Sequence, residues 1–342
     1  MVVGGVASNH EFTKRPLGCT VAHERSRALK ILAVIDGKPA SAAALKAAAQ
    51  LSERLGAELG VITVRSGTHA TETPTPVGVD ISGGDRQNLP EGIQLLLRAA
   101  DILVEAGLLA PVTQFKLHDL PQGHVFFAPK TNGERVLFSE RFGSLVDELN
   151  EEIAENQFEL VIIAAPRRGS LGRFAPMNLP RKLALDLHCS FLVVRGGMPD
   201  SRYVVCADGS ASSRRIFPFF KRLLPAVRSS IDLICVQKPD PDPKEVEQAE
   251  HCLNLANAWL TRCGKEVKVL QPRGVKRFKV ILEAAGNDAI IVMGESQMHD
   301  VRRRTLGTLP MKVLPRTDAS FLMVKQPTEP DPEMFDESFT CE

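Results

Sequence analysis

The sequence lacks the features that mark several classes of protein. No apolar run approaches the roughly 20 residues that a membrane-spanning helix needs, and the opening residues 1–6 lack the charged start of a secretory signal. The 42 lysines and arginines balance the 41 aspartates and glutamates. The formal net charge of +1 therefore gives no general basic surface for nucleic acid. We expect neither a membrane nor a nucleic-acid partner.

The cysteines and histidines also form no chemical motif. The seven cysteines contain no Cys-x-x-Cys pair and are odd in number, which argues against a zinc site or a disulfide framework. Cys206 and Cys235 stand in apolar runs, where a small buried thiol is expected. No histidine has a serine, cysteine or metal-ligand partner at a suitable spacing. The pattern predicts a cytoplasmic protein that is not an enzyme and holds no metal.

The length of 342 residues indicates two domains of ordinary size. Strands and helices alternate as β-α-β-α-β-α-β-α-β twice, first in residues 28–197 and again in 201–326. Residues 1–27 lack periodicity and are predicted to be a flexible leader. Residues 327–342 are rich in proline and acidic residues and are predicted to be a disordered tail.

The first set of elements is longer than the second. Two insertions, at about 66–90 and 119–138, would account for most of the difference, and the second contains an Asn-Gly hairpin signal. A strand is predicted near 112–117, before the second insertion. The alternation predicts an α/β fold of two tandem, doubly wound domains, each with a five-stranded parallel sheet.

A candidate anion site lies near the end of the second set. The buried strand 290–293 is followed by Gly294, and Gly307-Thr308 opens a short helix before the last strand. Backbone N–H groups can approach a phosphate at such a loop, and a helix N-terminus favours negative charge. Asp208 ends an earlier strand of the same set, so it should lie at the same carboxyl edge of the sheet.

These motifs resemble those of the universal stress protein family. The resemblance rests on strand–Asp-Gly-Ser at 208–210, on five alternating strands, and on a Gly-x2-Gly-x9-Gly-(Ser/Thr) pattern after the fourth strand. It covers roughly 28–326. It implies an adenine nucleotide α-hydrolase-like, flavodoxin-like sandwich in each half, and a cytoplasmic stress-response protein, some of whose relatives bind ATP. The family's domains usually pair through their last strands, which implies an internal pseudo-dimer and leaves a homodimer open.

The resemblance assigns binding roles to particular residues of the second half. Asp208 takes the place of the adenine-facing aspartate, while Gly294, Gly307 and Thr308 match the phosphate loop. Gln297 replaces the middle glycine, where a side chain would cost about 1 kcal/mol if the backbone needs a positive φ. ATP is therefore the candidate ligand of this half, and Gln297 is the point where the pattern is weakest.

The first half departs further from the family pattern. It keeps Asp36-Gly37, but Ala164, Arg167 and residues 177–178 stand at the glycine positions. We expect no ATP in this half.

Three hypotheses for function follow from these motifs. The first is a non-enzymatic tandem stress-response protein, regulated by ATP in its C-terminal half. The second is an interaction or scaffold protein of the same fold that binds no nucleotide and uses its insertions and acidic tail as partner surfaces. The third is a weak ATPase, whose turnover would be lost with Asp208→Ala.

Overall fold

The computed structural model describes residues 28–67, 86–111, 115–167, 179–196, 200–295 and 308–325. The strands are β1 Lys30–Val34, β2 Glu58–Arg65, β3 His118–Leu120, β4 Gly123–Pro129, β5 Arg135–Phe142, β6 Leu160–Ala164, β7 Ser190–Val194, β8 Tyr203–Cys206, β9 Ile231–Ile234, β10 Val267–Leu270, β11 Ile290–Gly294 and β12 Ser320–Val324. The helices are α1 Pro39–Leu55, α2 Glu91–Glu105, α3 Leu145–Asn156, α4 Leu179–Asp186, α5 Ala211–Arg214, α6 Ile216–Leu223, α7 Pro243–Arg262, α8 Arg277–Ala285 and α9 Leu309–Val313.

One 12-stranded sheet has the order β10-β9-β8-β11-β12-β7-β6-β1-β2-β5-β4-β3. Strands β8 to β12 pair in parallel with one another, and so do β1, β2, β5, β6 and β7. If the five parallel strands of each half are numbered 1 to 5 along the chain, their order from the outer edge of the sheet to its centre is 3-2-1-4-5 in both halves. The predicted α/β class with a largely parallel sheet is confirmed.

The inner strands β6, β7, β11 and β12 are apolar along nearly their whole length because helices cover both faces of the sheet. Every residue of β7 and of β12 is buried. Each face carries one hydrophobic core that draws residues from both halves of the chain, including Ile31 and Val292 on one face and Phe191 and Phe321 on the other. The sheet therefore separates two continuous cores, and each core joins the two halves.

The third parallel strand of the first half is β5. The first part of this strand, residues 135–138, falls within the insertion predicted at 119–138, so that prediction was wrong for this strand. The Asn-Gly hairpin is confirmed, since β4 and β5 pair antiparallel with Phe126 opposite Phe138. The other edge of β5, however, pairs in parallel with β2, where Phe138 meets Val61. Residues 115–117 form no strand in the structure, and residues 112–114 lie outside its described part. Only β3 and β4 are additional to the five-stranded plan. The first insertion, 66–90, falls mostly outside the described residues.

The two halves meet where β7 and β12 pair antiparallel, with Leu192 opposite Leu322. Beyond the strands, the two halves exchange hydrogen bonds. The backbone N–H of Arg195 donates to Oγ of Ser320 at 3.1 Å, and the N–H of Lys325 donates to Oγ of Ser190 at 3.2 Å. Each chain segment leaving one of these strands is thus fixed to the serine that begins the other.

The side chains of Arg195 and Lys325 extend this exchange to the helices. Arg195 donates to the carbonyl of Leu314, just past α9, at 3.1 Å. Lys325 donates to the carbonyl of Leu187, just past α4, at 2.5 Å. Both cations are buried, and each lies at the C-terminal end of a helix in the opposite half, where positive charge is favourable. We call these two residues the reciprocal clamp.

Replacing Lys325 by methionine should lower the free energy of unfolding by about 1–3 kcal/mol, because the Leu187 carbonyl loses its donor while the apolar stem is kept. Glu295, 3.5 Å from the ammonium, also loses its counter-charge. Chemical denaturation measures the loss. Lys312→Met, on the exposed side of α9, is the control and should cost no more than about 0.5 kcal/mol. Equal losses in both variants would show that the clamp contributes nothing specific.

Candidate functional site

The carboxyl ends of β8 and β11 bring Asp208 and Gly294 together. These strands are neighbours, with Val205 opposite Val292, and Gly294 is the last residue of β11. The strand order reverses between them, because the chain moves outward from β8 to β9 and β10 and then returns on the other side to β11. Open α/β sheets bind their ligands at such a switch point.

The chain leaves β8 through a tight turn at Asp208-Gly209-Ser210. Gly209 has φ +77°, and a Cβ there would lie 2.6 Å from the carbonyl oxygen of Gln248 in α7. Oδ1 of Asp208 accepts the N–H of Ser210 at 3.1 Å. The hydroxyl of Ser210 in turn accepts the N–H of Ser213 at 3.3 Å and begins α5. The turn fixes the backbone of Asp208 and leaves its carboxylate exposed.

The first half has the same turn after β1. Gly37 has φ +75°, and Oδ1 of Asp36 accepts the N–H of Lys38 at 3.1 Å. Here Nζ of Lys38 also lies 2.6 Å from Oδ2 of Asp36. Partial burial acts to raise the pKa of Asp36, but the hydrogen bonds and charge of Lys38 outweigh it and hold this pKa below its ordinary value of 3.8.

The two aspartates therefore differ in their partners. Ser210 occupies the position of Lys38 and has no charge to offer. Among the residues that the structure describes, Asp208 forms no ion pair, and its only hydrogen bond is the one from Ser210. The carboxylate of Asp36 forms an ion pair with Lys38. Oδ2 of Asp208 has no such partner in the described part of the chain and is available to accept a hydrogen bond from a ligand.

Gly294 has a packing reason to be glycine. A Cβ at this position would lie 1.9 Å from the carbonyl oxygen of Ser212, so the backbone of α5 approaches β11 more closely than any side chain allows. The corresponding strand of the first half, β6, ends in Ala164 and does have a Cβ. This glycine is consistent with a phosphate loop, but the contact with Ser212 explains it without one.

The remaining residues predicted for the phosphate loop are placed only in part. Thr308 begins α9 as its N-cap, with φ −63° and ψ 168°, and its side chain makes no capping hydrogen bond. The expected helix start is therefore present. Gln297 and Gly307 lie outside the described residues.

Arg167 of the first half contacts the second half. Its Nε donates to the carbonyl of Arg195 at 2.9 Å, and its Nη2 donates to Oδ1 of Asp288 at 2.8 Å. A Cβ on Gly196 would lie 2.3 Å from the guanidinium, so glycine there leaves room for it. The residue at this motif position of the first half thus makes an exposed contact with the second half.

A cleft of about 660 Å³ lies beside Asp288, between the segment 200–202 and the loop 285–289. Its charged groups are already paired within the protein. Asp200 pairs with Arg54 at 2.9 Å, Asp288 pairs with Arg167, and Arg202 pairs with a strand residue of β9. The cleft offers no uncompensated charge that would select a ligand.

A polar cluster at the carboxyl end of β5 was not indicated by the sequence. His124 and Glu140 are buried opposite each other, with Nδ1 2.8 Å from Oε2, and Arg65 lies 3.7 Å from the other oxygen. Glycine at position 92 makes space, because a Cβ there would meet the Glu140 carboxylate at 1.7 Å. Pairing across β4 and β5 creates the cluster, so only the hairpin register could have indicated it.

On the other face of β5, Arg141 is buried against α3. Four glutamates lie within ion-pair distance of its guanidinium: Glu148, Glu151, Glu152 and Glu155. Burial acts to lower the pKa of Arg141, but Glu152 and Glu155 outweigh it and the pKa is raised. Burial, followed by repulsion from Glu151, raises the pKa of Glu148 above its ordinary 4.5. This cluster fastens α3 to the sheet.

Neither a metal centre nor a membrane span emerges from the described residues. They contain no group of three or more histidines, cysteines, aspartates and glutamates that could hold a metal. Within the same part of the chain, every helix is too short or too polar to cross a bilayer.

The fold and its two Asp-Gly turns define a doubly wound α/β protein with candidate binding edges at the switch points. Residues 28–195 match the model of the universal stress protein family, so this part of the chain is similar to the domains of that family. The match does not extend to the second half. A comparison with curated proteins found no match.

Two solved structures have a similar fold. A universal stress protein from Archaeoglobus fulgidus aligns with a TM-score of 0.55 and 18% identity, over 87% of this chain and 96% of its own. A functionally unknown protein from Pseudomonas aeruginosa aligns with a TM-score of 0.53 and 13% identity, over 88% of this chain and 94% of its own. At these identities the likeness shows the fold alone.

Gly294→Ala should lower the free energy of unfolding by about 2–3 kcal/mol, because the new methyl group collides with the backbone at Ser212. Gly264→Ala is the matched control. It enters open space and carries only the strain of φ +72°, about 1 kcal/mol. Chemical denaturation of both variants gives the comparison. If they lose the same stability, the close approach of α5 to β11 is wrong.

Glu148→Gln should stabilise the protein at pH 7, because it removes a carboxylate whose charged form is disfavoured in the folded state. A carboxyl with a raised folded pKa lowers stability as the pH rises from its ordinary value of 4.5 through its folded value. The variant's advantage should therefore vanish below about pH 4, where both states are protonated. Unfolding curves at both pH values measure this, and an advantage that persists at low pH would contradict the cause.

Proposed function

We propose that this protein is a tandem stress-response protein, with a first universal stress domain in 28–197 and a second in 201–326. Three features support the second domain. Its strands repeat the 3-2-1-4-5 order of the first half. Asp208-Gly209 repeats the turn of Asp36-Gly37, with φ +77° at one glycine and +75° at the other. Each helix-covered strand of one half has a counterpart in the other.

The two domains act as an internal pseudo-dimer in this proposal. The β7–β12 pairing supports it, because the last strand of one set meets the last strand of the other antiparallel. The reciprocal clamp supports it further, since Arg195 and Lys325 make equivalent contacts in opposite directions. With this interface already filled within one chain, a homodimer would need another surface.

The C-terminal domain binds an adenine nucleotide, with ATP as the candidate, in the region of Asp208, Gly294, Gln297, Gly307 and Thr308. The observation that carries this is the exposed carboxylate of Asp208 at the switch point, with no ion pair among the described residues. A carboxylate oxygen accepts a hydrogen bond from the exocyclic amine of adenine, and such charge-assisted bonds are strong. In the first domain Ala164 and Arg167 stand at motif-glycine positions, and the exposed Lys38 pairs with the equivalent Asp36, so in this proposal that domain binds none.

The nucleotide serves regulation and not turnover in this proposal. Chemistry on a phosphate needs a positioned nucleophile or base and groups that stabilise the developing charge. The described residues contain no group of three or more histidines, cysteines, aspartates and glutamates that could hold a metal. Binding alone can still change the protein, provided the nucleotide favours one conformation over another.

A second candidate is an interaction protein of the same fold that binds no nucleotide. The packing of Gly294 favours it, because the contact with Ser212 accounts for this glycine without any ligand. The replacement of the middle glycine by Gln297 favours it as well. Its partner surfaces would be the added segments of the first half and the acidic tail.

Calorimetry should detect ATP binding to the purified chain, and Asp208→Ala should weaken it at least tenfold, as expected for loss of a hydrogen bond to a charged acceptor. Asp36→Ala is the matched control, because it removes the same residue from the same turn in the first half. It should leave the affinity within twofold of the unaltered protein. Phosphate release should stay at background in all three proteins.

The opposite results separate the hypotheses. Absence of heat at millimolar ATP removes the ligand and leaves the interaction protein. Turnover above background that disappears with Asp208→Ala establishes the weak ATPase. If Asp36→Ala weakens ATP binding as much as Asp208→Ala does, the assignment of the site to the C-terminal half is wrong.

A further inference from the structure

The edge strand β10 ends the sheet with one side open. Among the described residues its only strand partner is β9. Ile231 and Cys235 of that strand donate to the carbonyls of Glu266 and Leu270. Since hydrogen-bonding direction alternates along a strand, the backbone groups of Val267 and Val269 point away from β9. They form an unpaired edge of the kind that invites another strand.

The first half covers the equivalent edge. β5 holds the same place in its set as β10 does, and β4 pairs antiparallel along it from Gly123–Arg141 to Pro129–Arg135. No described segment plays that part for β10. Two valines are correspondingly exposed in the second half, Val269 on β10 at 41% and Val275 just beyond it at 83%.

The chain at and after the open edge carries more basic than acidic side chains. From position 266 to 279 there is one carboxylate, Glu266, and there are five cations, none of which forms an ion pair with a described residue. The cations are Lys268 on β10, Arg273 and Lys276 in the loop after it, and Arg277 and Lys279 at the start of α8. A second copy of this chain pairing β10 with β10 would bring these charges together and be repelled. An acidic strand would instead be attracted to these cations, so it is the expected partner of this edge.

We propose that the acidic C-terminal segment, residues 329–342, docks on this edge, with the residues from about 333 onward forming an antiparallel strand. The segment contains six acidic residues and no lysine or arginine: Glu329, Asp331, Glu333, Asp336, Glu337 and Glu342. Phe335 and Phe339 are separated by an even number of positions, so they share one face of an extended strand and can cover the exposed valines.

The segment is long enough to reach β10. It follows β12, which is four strands from β10 in the order β12-β11-β8-β9-β10. A strand beyond β10 lies five strand spacings from β12, about 24 Å at about 4.8 Å per spacing, which about seven extended residues span. Seventeen residues follow Lys325 (342 − 325), so about ten remain for docking, from about position 333. β12 and β10 end at the same edge of the sheet, so the segment arrives at the carboxyl end of β10 and runs antiparallel, as β4 does on β5.

Hydrogen exchange of the outward amides of Val267 and Val269 tests the docking. In the full chain they should exchange at least tenfold more slowly than in a chain that ends at Thr328. A synthetic peptide of residues 329–342, added to the shortened chain, should restore the protection. A peptide of the same composition in scrambled order should restore less, because strand pairing needs the phenylalanines in register.

A charge-reversed full chain provides an independent test of the occupant. Asp336→Lys with Glu337→Lys should speed the exchange of the same two amides. Glu53→Lys with Glu105→Lys makes the same change in net charge at exposed positions of the first half and should leave these amides unaffected.

Each other result overturns the proposal. Equal exchange in the full and shortened chains shows that the segment does not cover β10. Protection that depends on protein concentration assigns the edge to a second copy of the chain. Protection that appears only when nucleic acid is added assigns the cations to that ligand.

Discussion

The antiparallel pairing of β7 with β12 is the constraint on which the rest of the structure depends. It turns two parallel sets of strands into one sheet and lets the hydrophobic core on each face continue from one half to the other. Two buried cations add to the contact between the halves, since Arg195 and Lys325 each donate hydrogen bonds to carbonyls at the end of a helix in the opposite half. A buried charge is costly unless it is fully hydrogen-bonded. The clamp therefore specifies one arrangement of the halves and penalises others.

The two halves share this frame but differ at their carboxyl edges. Asp36 is paired with Lys38, and Arg167 is directed into the interface. Asp208, in the same turn, keeps an open carboxylate. The first half thus commits its edge to internal contacts, and the second half leaves its edge open to a ligand. The two turns have the same backbone, because each depends only on its aspartate and its glycine. The difference between the two edges therefore comes from the neighbouring side chains.

The alternation of strands and helices was predictable from the sequence, since helices on both faces require apolar strands and these runs are easily recognised. The assignment of β5 was wrong because the Asn-Gly signal reports one edge of a strand, and nothing in the sequence of Arg135–Phe142 shows that its other edge pairs with β2. The positions of Asp208 and Gly294 followed from topology. The closeness of Ser212 to Gly294, the pairing of His124 with Glu140, and the reach of Arg167 to Asp288 depend on three-dimensional packing, and no periodicity reports it.

The reciprocal clamp also changes what the covalent link between the halves contributes. The residue that follows the last strand of each half donates hydrogen bonds to the other half, so these donors would lose their partners in an isolated half. The peptide connection between Gly196 and Asp200 does not need to define their geometry, because the strands, the serines and the cations already do. Its contribution is an effective concentration: it holds two complementary surfaces near each other and makes their association intramolecular. Dilution therefore cannot separate the two halves, because their association is intramolecular.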